Sequence, residues 1–147
     1  MSRAGLKLQT RCSEETERAG AELVAGLRAG DVVLVVGEVG AGKTTFVRGA
    51  CRALGVTVAI TSPTFTIGQR YPARGAVPIV SHLDLYRVAD LRNEDPDLLA
   101  DYINAGTIAF VEWPDGAERE IGLFGRLAAT VRLAHAGGDR RTIEISR

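Results

Sequence analysis

The feature that constrains the fold most is an unbroken apolar run that leads straight into a glycine-rich segment. Residues 31–36 read DVVLVV, and residues 37–44 read GEVGAGKT. An apolar run without polar alternation is typical of a strand covered on both faces, as in a parallel sheet. After it, apolar residues recur along one helical face: Phe46, Val47, Ala50 and Leu54. Gly55 then stands where a helix would end, so strand, glycine loop and helix are predicted in succession.

Strand and helix signals continue to alternate along the chain. Two further apolar runs, AVPIVSHLD ending on Asp84 and GTIAFVEW ending on Glu112 and Trp113, predict buried strands. Between them, a helix is predicted from its cap, Asp95, to about Gly106. Alternation of this kind favours an α/β fold with a parallel sheet.

The C-terminal segment has two alternating runs around Gly137 and Gly138, which predict an antiparallel hairpin at a sheet edge. No internal repeat, low-complexity tract or linker divides the chain. We therefore predict one α/β domain over residues 1–147, with a mainly parallel central sheet, flanking helices and a C-terminal edge hairpin.

Four local predictions complete the outline. The first ten or so residues form an edge strand or are partly loose. A helix begins with Ser13 as its N-cap and ends at Gly30. Residues 57–65, TVAITSPTF, form a strand that runs into a loop, and residues 68–76, GQRYPARGA, form an exposed turn.

Composition and charge argue against several classes of function. The 147-residue chain has a formal net charge of zero, so no global field draws it to nucleic acid or to an anionic membrane. Its two cysteines, Cys12 and Cys51, lack metal-ligand or disulfide spacing and are expected to be reduced thiols. No apolar run reaches the roughly 18 residues of a membrane span, and the N-terminus has no apolar targeting core. A cytoplasmic location is expected.

Residues 37–44 match the phosphate-binding pattern GxxxxGK[ST], and the required strand and helix flank it. Glycines let the backbone turn its N–H groups towards phosphates, and the helix adds its positive dipole end. The chain has sixteen arginines and two lysines; a compact ammonium at Lys43 suits the β- and γ-phosphates better than a planar guanidinium. The predicted nucleotide-binding residues of the loop are Glu38, Val39, Gly40, Ala41, Gly42, Lys43, Thr44 and Thr45.

A magnesium ion in such a site needs the Thr44 hydroxyl and a carboxylate at the end of a neighbouring strand. The sequence offers two candidates, Glu112 and Asp84. Glu112 follows the cleaner apolar run and is taken as the Walker B acid, which either binds the metal through water or orients the attacking water, with Asp84 as the second candidate. Trp113 either flanks the nucleotide or fills the core. Ser62, Pro63 and Thr64 form either a loop that senses the γ-phosphate or a plain proline-fixed turn.

The nucleotide is expected to be ATP. Ras-type GTPases read guanine through a motif with a lysine well downstream, and no lysine follows Lys43. A small-molecule kinase stays open, because Arg70, Arg74, Arg87 and Arg92 could clamp the phosphate of an acceptor. A non-catalytic nucleotide sensor is the third alternative.

Four segments, GEVGAGKTTFVRG, SPTF, HLDLYR and FVEWP, occur in this order. Together they resemble the TsaE (YjeE) family of small bacterial P-loop ATPases, which is needed for making threonylcarbamoyl adenosine at position 37 of tRNA. The resemblance runs from about Thr16 to Pro114, with a looser match in the C-terminal hairpin. The glycine motif alone would fit many families, whereas the combination of all four segments is far more specific.

The resemblance implies a role for each matched residue: Lys43 and Thr44 bind phosphate and Mg²⁺, Glu112 is the Walker B acid, Trp113 lies near the nucleotide, Asp84 is a second acidic group, and Ser62, Pro63 and Thr64 form a switch loop. The implied partners are TsaD and TsaB, and tRNA is contacted only indirectly, through their complex. ATP hydrolysis would reset that complex between transfers. Turnover is expected to be slow alone, because positioning and charge stabilisation are incomplete without a partner.

Overall fold

Seven strands and four helices are found among residues 5–61, 67–86 and 97–147, the part of the chain that the computed structural model describes. The strands are β1 (Leu6–Thr10), β2 (Asp31–Val36), β3 (Gly68–Pro72), β4 (Ile79–Asp84), β5 (Thr107–Glu112), β6 (Arg126–His135) and β7 (Arg141–Ser146). The helices are α1 (Ser13–Val24), α2 (Lys43–Ala53), α3 (Asp97–Ala100) and α4 (Glu118–Gly122).

All seven strands belong to one mixed sheet in the order β1-β7-β6-β2-β5-β4-β3. The four central strands, β6, β2, β5 and β4, are parallel, and the pairings on either side of them are antiparallel. The prediction of a mainly parallel sheet therefore holds only for its centre. Among the parallel strands, β2 and β5 carry buried apolar runs without polar alternation, as double coverage of a sheet requires.

The C-terminal hairpin is present as β6 and β7, but its predicted place at a sheet edge is wrong. β1 runs antiparallel along β7, from Leu6 opposite Ile145 to Thr10 opposite Arg141, and takes the edge position. On the other side β6 pairs with β2. An uncovered β7 would present a row of unpaired backbone groups, and the N-terminal strand satisfies them.

Two apolar clusters cover the two faces of the sheet. On one face Val33 and Val35 pack into a cluster with apolar residues of α1 and α2. On the other, Val32 and Leu34 pack with Ile103, just beyond α3, and with residues of α4. The alternation within β2 explains why a strand with no polar residue after Asp31 is stable here: each side chain reaches an apolar layer.

Helices α1 and α2 pack with their backbones in close approach. A Cβ at Gly49 would lie 1.9 Å from the Glu17 carbonyl oxygen, and one at Gly20 would lie 2.1 Å from that of Phe46. Only glycine allows this contact. It fixes the position of α2, and with it the loop that precedes α2.

Several local predictions differ from the structure. Residues 68–76 are not simply a turn, because β3 pairs with β4 from Gly68 to Pro72. Residues 57–61 form no strand, and the remainder of that predicted strand lies outside the described residues. Helix α4 was not predicted; it is only five residues long.

The helix boundaries also differ. Ser13 is the first residue of α1 rather than its cap, and α1 ends at Val24, well before Gly30. The α3 helix is a single turn, and its predicted start, Asp95, lies outside the described residues. Among the described residues, no helix has the length and apolar character needed to cross a membrane.

Candidate functional site

The carboxyl ends of β2, β4 and β5 meet at one edge of the sheet, where the predicted site residues converge. Because these strands are parallel neighbours, their ends lie side by side. Asp84 at the end of β4 stands opposite Glu112 at the end of β5, and Glu112 stands opposite Val35 of β2. The glycine loop leaves β2 directly beside these carboxylates.

The glycine loop, residues 37–42, turns through two residues with left-handed backbone conformation, Gly40 at φ 79° and Gly42 at φ 98°. Gly42 is also the N-cap of α2. Having no side chain, it donates or accepts no side-chain capping hydrogen bond at the first turn of α2, and that turn contains no acidic residue. The positive end of the helix dipole is therefore not compensated by a side chain of α2. Such a helix start is suited to an anion.

The Lys43 ammonium is folded back onto the loop that precedes it. Its Nζ donates to the Gly37 carbonyl at 2.6 Å and to the Glu38 carbonyl at 2.9 Å, and it lies 4.4 Å from the centroid of the Trp113 ring. Burial lowers the pKa of Lys43, while the charges of Glu112 and Asp84 act in the opposite direction. A cation held this way can move to a phosphate by exchanging carbonyl oxygens for phosphate oxygens.

The Glu112 carboxylate is buried between α2 and β4, with only 3% of the residue exposed. Its Oε2 accepts a long hydrogen bond of 3.5 Å from the Thr44 hydroxyl and is in contact with Nε2 of His82. His82 is fully buried. No role was predicted for His82 from the sequence, although the two-residue period of a strand places it on the same face of β4 as Asp84.

Asp84 is the second carboxylate at this edge. Burial raises its pKa, and the negative charge of Glu112 raises it further, while a hydrogen bond of 2.9 Å from the Tyr86 N–H to Oδ1 acts against both. Two neighbouring carboxylates in partly dry surroundings repel each other. A cation bound between them would relieve that repulsion.

Trp113 follows Glu112 in a backbone conformation that is rare for a bulky residue, with φ 56°. It is the one described non-glycine residue with a positive φ. Its ring packs over the Lys43 ammonium and against Tyr86, with ring centroids 4.8 Å apart and planes at 51°. Such outliers are concentrated at functional sites, and here the conformation brings the ring over the loop.

A polar cleft of about 340 Å³ lies beyond the glycine loop, on the side of the C-terminal hairpin. It is lined by Cys12, Ser13, Glu14, Thr16, Gly42, Thr45, Asp139 and Arg141. Arg141 joins the hairpin to the loop, donating from Nη2 to the Gly40 carbonyl at 3.1 Å. Sequence reasoning missed both the cleft and Arg141, because their parts come from opposite ends of the chain.

The residues present fit a phosphate and Mg²⁺. Described residues include no cluster of three or more His, Cys, Asp or Glu side chains with the geometry of a metal site. Mg²⁺ does not require one, since it binds one or two protein oxygens and takes its other ligands from phosphate and water. The Thr44 hydroxyl and the Glu112 carboxylate are oxygen donors of this kind.

The structure brings together Lys43, Thr44, Asp84, Glu112 and Trp113, whose functional roles stay predictions. The proposed switch residues Ser62, Pro63 and Thr64 lie outside the described residues, as do Arg87 and Arg92. Arg70 donates to the backbone carbonyl of Asp101 at 3.2 Å, and His135 is exposed.

Comparisons with known proteins find relatives over most of the chain. The model of the family described as threonylcarbamoyl adenosine biosynthesis protein TsaE matches residues 10–143. The tRNA threonylcarbamoyladenosine biosynthesis protein TsaE of Bacillus subtilis strain 168 is 37% identical over 139 residues, 94% of this chain and 83% of that protein. The protein of the same name from Streptomyces coelicolor is 43% identical over 102 residues, 69% of each chain.

A solved structure supports the same relationship. The crystal structure of Bacillus subtilis YdiB is similar with a TM-score of 0.75 and 29% sequence identity, over 99% of this chain and 87% of that one. The family match and the structural match both extend beyond the glycine loop to the C-terminal hairpin.

Proposed function

This chain belongs to the TsaE family of threonylcarbamoyl adenosine biosynthesis proteins, and from that premise we propose that it is a Mg-dependent P-loop ATPase. Its ATP hydrolysis acts on a complex of TsaB and TsaD and supports threonylcarbamoyl transfer to adenosine 37 of tRNA. The transfer itself does not take place in this chain. We expect it to work in the cytoplasm.

The observation that carries the proposal is the position of Glu112 beside the start of α2. Its carboxylate approaches the Thr44 hydroxyl to 3.5 Å, at the start of a helix whose N-cap, Gly42, makes no side-chain capping hydrogen bond. An uncapped helix start attracts phosphate, and a hydroxyl beside a carboxylate suits Mg²⁺. Neither feature alone identifies a nucleotide site, but their combination at one sheet edge is what Mg-ATP needs.

Each site residue then has a part in binding. The backbone N–H groups of residues 38–45 would hold the phosphates, and Lys43 would exchange the Gly37 and Glu38 carbonyls for phosphate oxygens. Thr44 and Glu112 would hold Mg²⁺, which when bound neutralises charge on the phosphate oxygens. Glu112 or Asp84 would orient the attacking water. The polar cleft beyond Thr45 would receive the base and ribose.

We propose slow turnover alone and faster turnover with the partners on the basis of the contacts of one arginine in the described part of the chain. Arg141, the described arginine that contacts the glycine loop, is already engaged by three backbone carbonyls, those of Gly40, Gly138 and Arg140. It is therefore poorly placed to stabilise charge on a transferring phosphoryl group. We propose that the TsaB–TsaD complex completes the site, with tRNA held mainly by that complex.

The test is phosphate release from Mg-ATP by the purified protein, alone and with a TsaB–TsaD pair. Lys43→Ala is the blank. Its matched control is Lys7→Ala, which changes the chain's other lysine, an exposed residue of β1. Slow release that rises with the pair and is lost only in Lys43→Ala supports the proposal. Phosphate release that does not change when the pair is added favours a small-molecule kinase. Nucleotide binding without release, even with the pair, favours a sensor.

A further inference from the structure

His82 lies next to the proposed catalytic carboxylate but has no role in the function proposed so far. We propose that His82 is a positioning residue, which fixes the orientation of the Glu112 side chain for ATP hydrolysis. This role rests on the proposed function. The observation behind it is a fully buried imidazole whose Nε2 contacts Glu112 Oε2. This contact is present in the structure whether or not the proposed function is correct.

The polar contacts of His82 are one-sided. Among the described residues, Nε2 is paired with Glu112, while Nδ1 is buried without any hydrogen-bond partner. An ionised carboxylate can only accept a hydrogen bond, so in the proposed pairing the imidazole Nε2–H is the donor. A half-satisfied buried ring costs stability, and an apolar side chain of similar size would fill this place in β4 better. The contact with Glu112 is the feature of the histidine that an apolar side chain could not replace.

The contact also determines which oxygen of Glu112 can meet a ligand. Within the described part of the chain, both hydrogen bonds to this carboxylate, from Thr44 and from His82, go to Oε2. Oε1 is left as the oxygen that can reach Mg²⁺ or water. Side chains that support a metal-binding or catalytic group commonly change activity about 10- to 100-fold when they are removed.

The first test separates positioning from folding by using three variants of β4. His82→Leu removes the donor, His82→Gln keeps an N–H at the reach of Nε2, and Ser81→Ala changes the neighbouring buried residue, which lies on the opposite face. We expect kcat in His82→Leu to fall about 10- to 100-fold with KM for ATP changed less than about threefold, because the phosphate loop is untouched. His82→Gln should recover most of the loss, and Ser81→Ala should leave kcat unchanged.

Three results would overturn the role: wild-type kcat in His82→Leu, equal losses in His82→Leu and His82→Gln, or a comparable loss in Ser81→Ala. Failure of the proposed function is seen in the wild-type protein instead, as phosphate release that is absent or that does not change when the TsaB–TsaD pair is added.

The second test needs no nucleotide. The chain has two histidines, His82 and His135, so the spectrum of ¹⁵N-histidine-labelled protein contains two rings, and His135→Gln assigns them. We expect a protonated Nε2 on His82 whose resonance moves in Glu112→Gln, while His135 does not respond. An Nε2 that carries no proton, or a His82 resonance that does not move in Glu112→Gln, would show that the pairing does not exist in solution.

Discussion

The carboxylate of Asp31 is held at two points by the guanidinium of Arg126, with Nε 2.7 Å from Oδ1 and Nη2 2.9 Å from Oδ2. The two residues are opposite each other at the first position of β2 and of β6, so the pair fixes the register of parallel strands that are far apart in sequence. Oδ2 also accepts a hydrogen bond from the backbone N–H of Arg28 at 2.9 Å.

This pair should make stability depend on pH in a defined direction. Burial of Asp31 acts to raise its pKa, but the hydrogen bonds and charges of Arg126 and Arg28 outweigh it, and the pKa is lowered. A carboxylate with a lowered folded-state pKa stabilises the fold above its unfolded pKa, about 3.9, and the contribution is lost as pH falls through the folded value.

We therefore expect Asp31→Asn to lower the free energy of unfolding at pH 7 by about 1.5–3 kcal/mol, the range for hydrogen bonds to charged groups. The difference from wild type should shrink below about pH 4. Urea unfolding at pH 7 and pH 3 measures it, with the exposed Asp115→Asn as control. An equal difference at both pH values would mean that the ion pair does not contribute.

The approach of α1 to α2 predicts the effect of one methyl group. In Gly49→Ala the new Cβ would meet backbone atoms of Glu17, at 1.9 and 2.5 Å, so the helices must separate. We expect a loss of about 1–3 kcal/mol, the usual cost of overpacking. Gly122→Ala is the matched control, because its Cβ would meet only a Leu127 methyl at 3.9 Å. Thermal unfolding of both variants checks this, and equal stability of the two would contradict the close packing.

The centre of the sheet and the edge that carries the candidate site could be predicted from the sequence because both depend on local patterns. The apolar runs before Asp84 and Glu112 end where β4 and β5 end, so those carboxylates were placed correctly beside the glycine loop. The edge strand β3 was missed because Gln69, Arg70 and Pro72 match a turn in composition, and only Gly68 and Tyr71 are buried. An edge strand with one partner needs few apolar residues.

What the sequence could not predict depends on pairings between distant residues. No local pattern joins Leu6 to Ile145, yet this pairing moves the hairpin away from the edge. Arg141 reaches Gly40 across a sequence separation of 101 residues. The contact of His82 with Glu112 depends on the register of β4 against β5.

Glu112→Gln should separate nucleotide binding from turnover. The variant keeps the size of the side chain but loses the charge, so Mg-ATP binding persists while turnover falls about 100-fold or more, as for loss of a catalytic base. Phosphate release at several magnesium concentrations, with calorimetric measurement of ATP affinity, checks both parts. Full magnesium-dependent turnover in Glu112→Gln would move the role to Asp84, and Asp84→Asn is the variant to compare.

The contact between Lys43 and Trp113 gives a direct signal for nucleotide binding. Trp113 is the chain's one tryptophan, and its ring lies 4.4 Å from the Lys43 ammonium. If phosphate draws the ammonium away from the Gly37 and Glu38 carbonyls, the surroundings of the ring change, and tryptophan fluorescence should respond to Mg-ADP. The response should saturate with binding and give the affinity.

Lys43→Ala should weaken Mg-ADP binding about 10- to 100-fold, since hydrogen bonds to charged groups contribute about 1.5–3 kcal/mol. Lys43→Arg should not restore it, because a planar guanidinium cannot replace a compact ammonium held by two carbonyls at 2.6 and 2.9 Å. Calorimetry gives the affinities, and circular dichroism checks that both variants stay folded. Wild-type affinity in a folded Lys43→Ala protein would show that phosphate binds elsewhere, and the glycine loop would then be only a turn that starts α2.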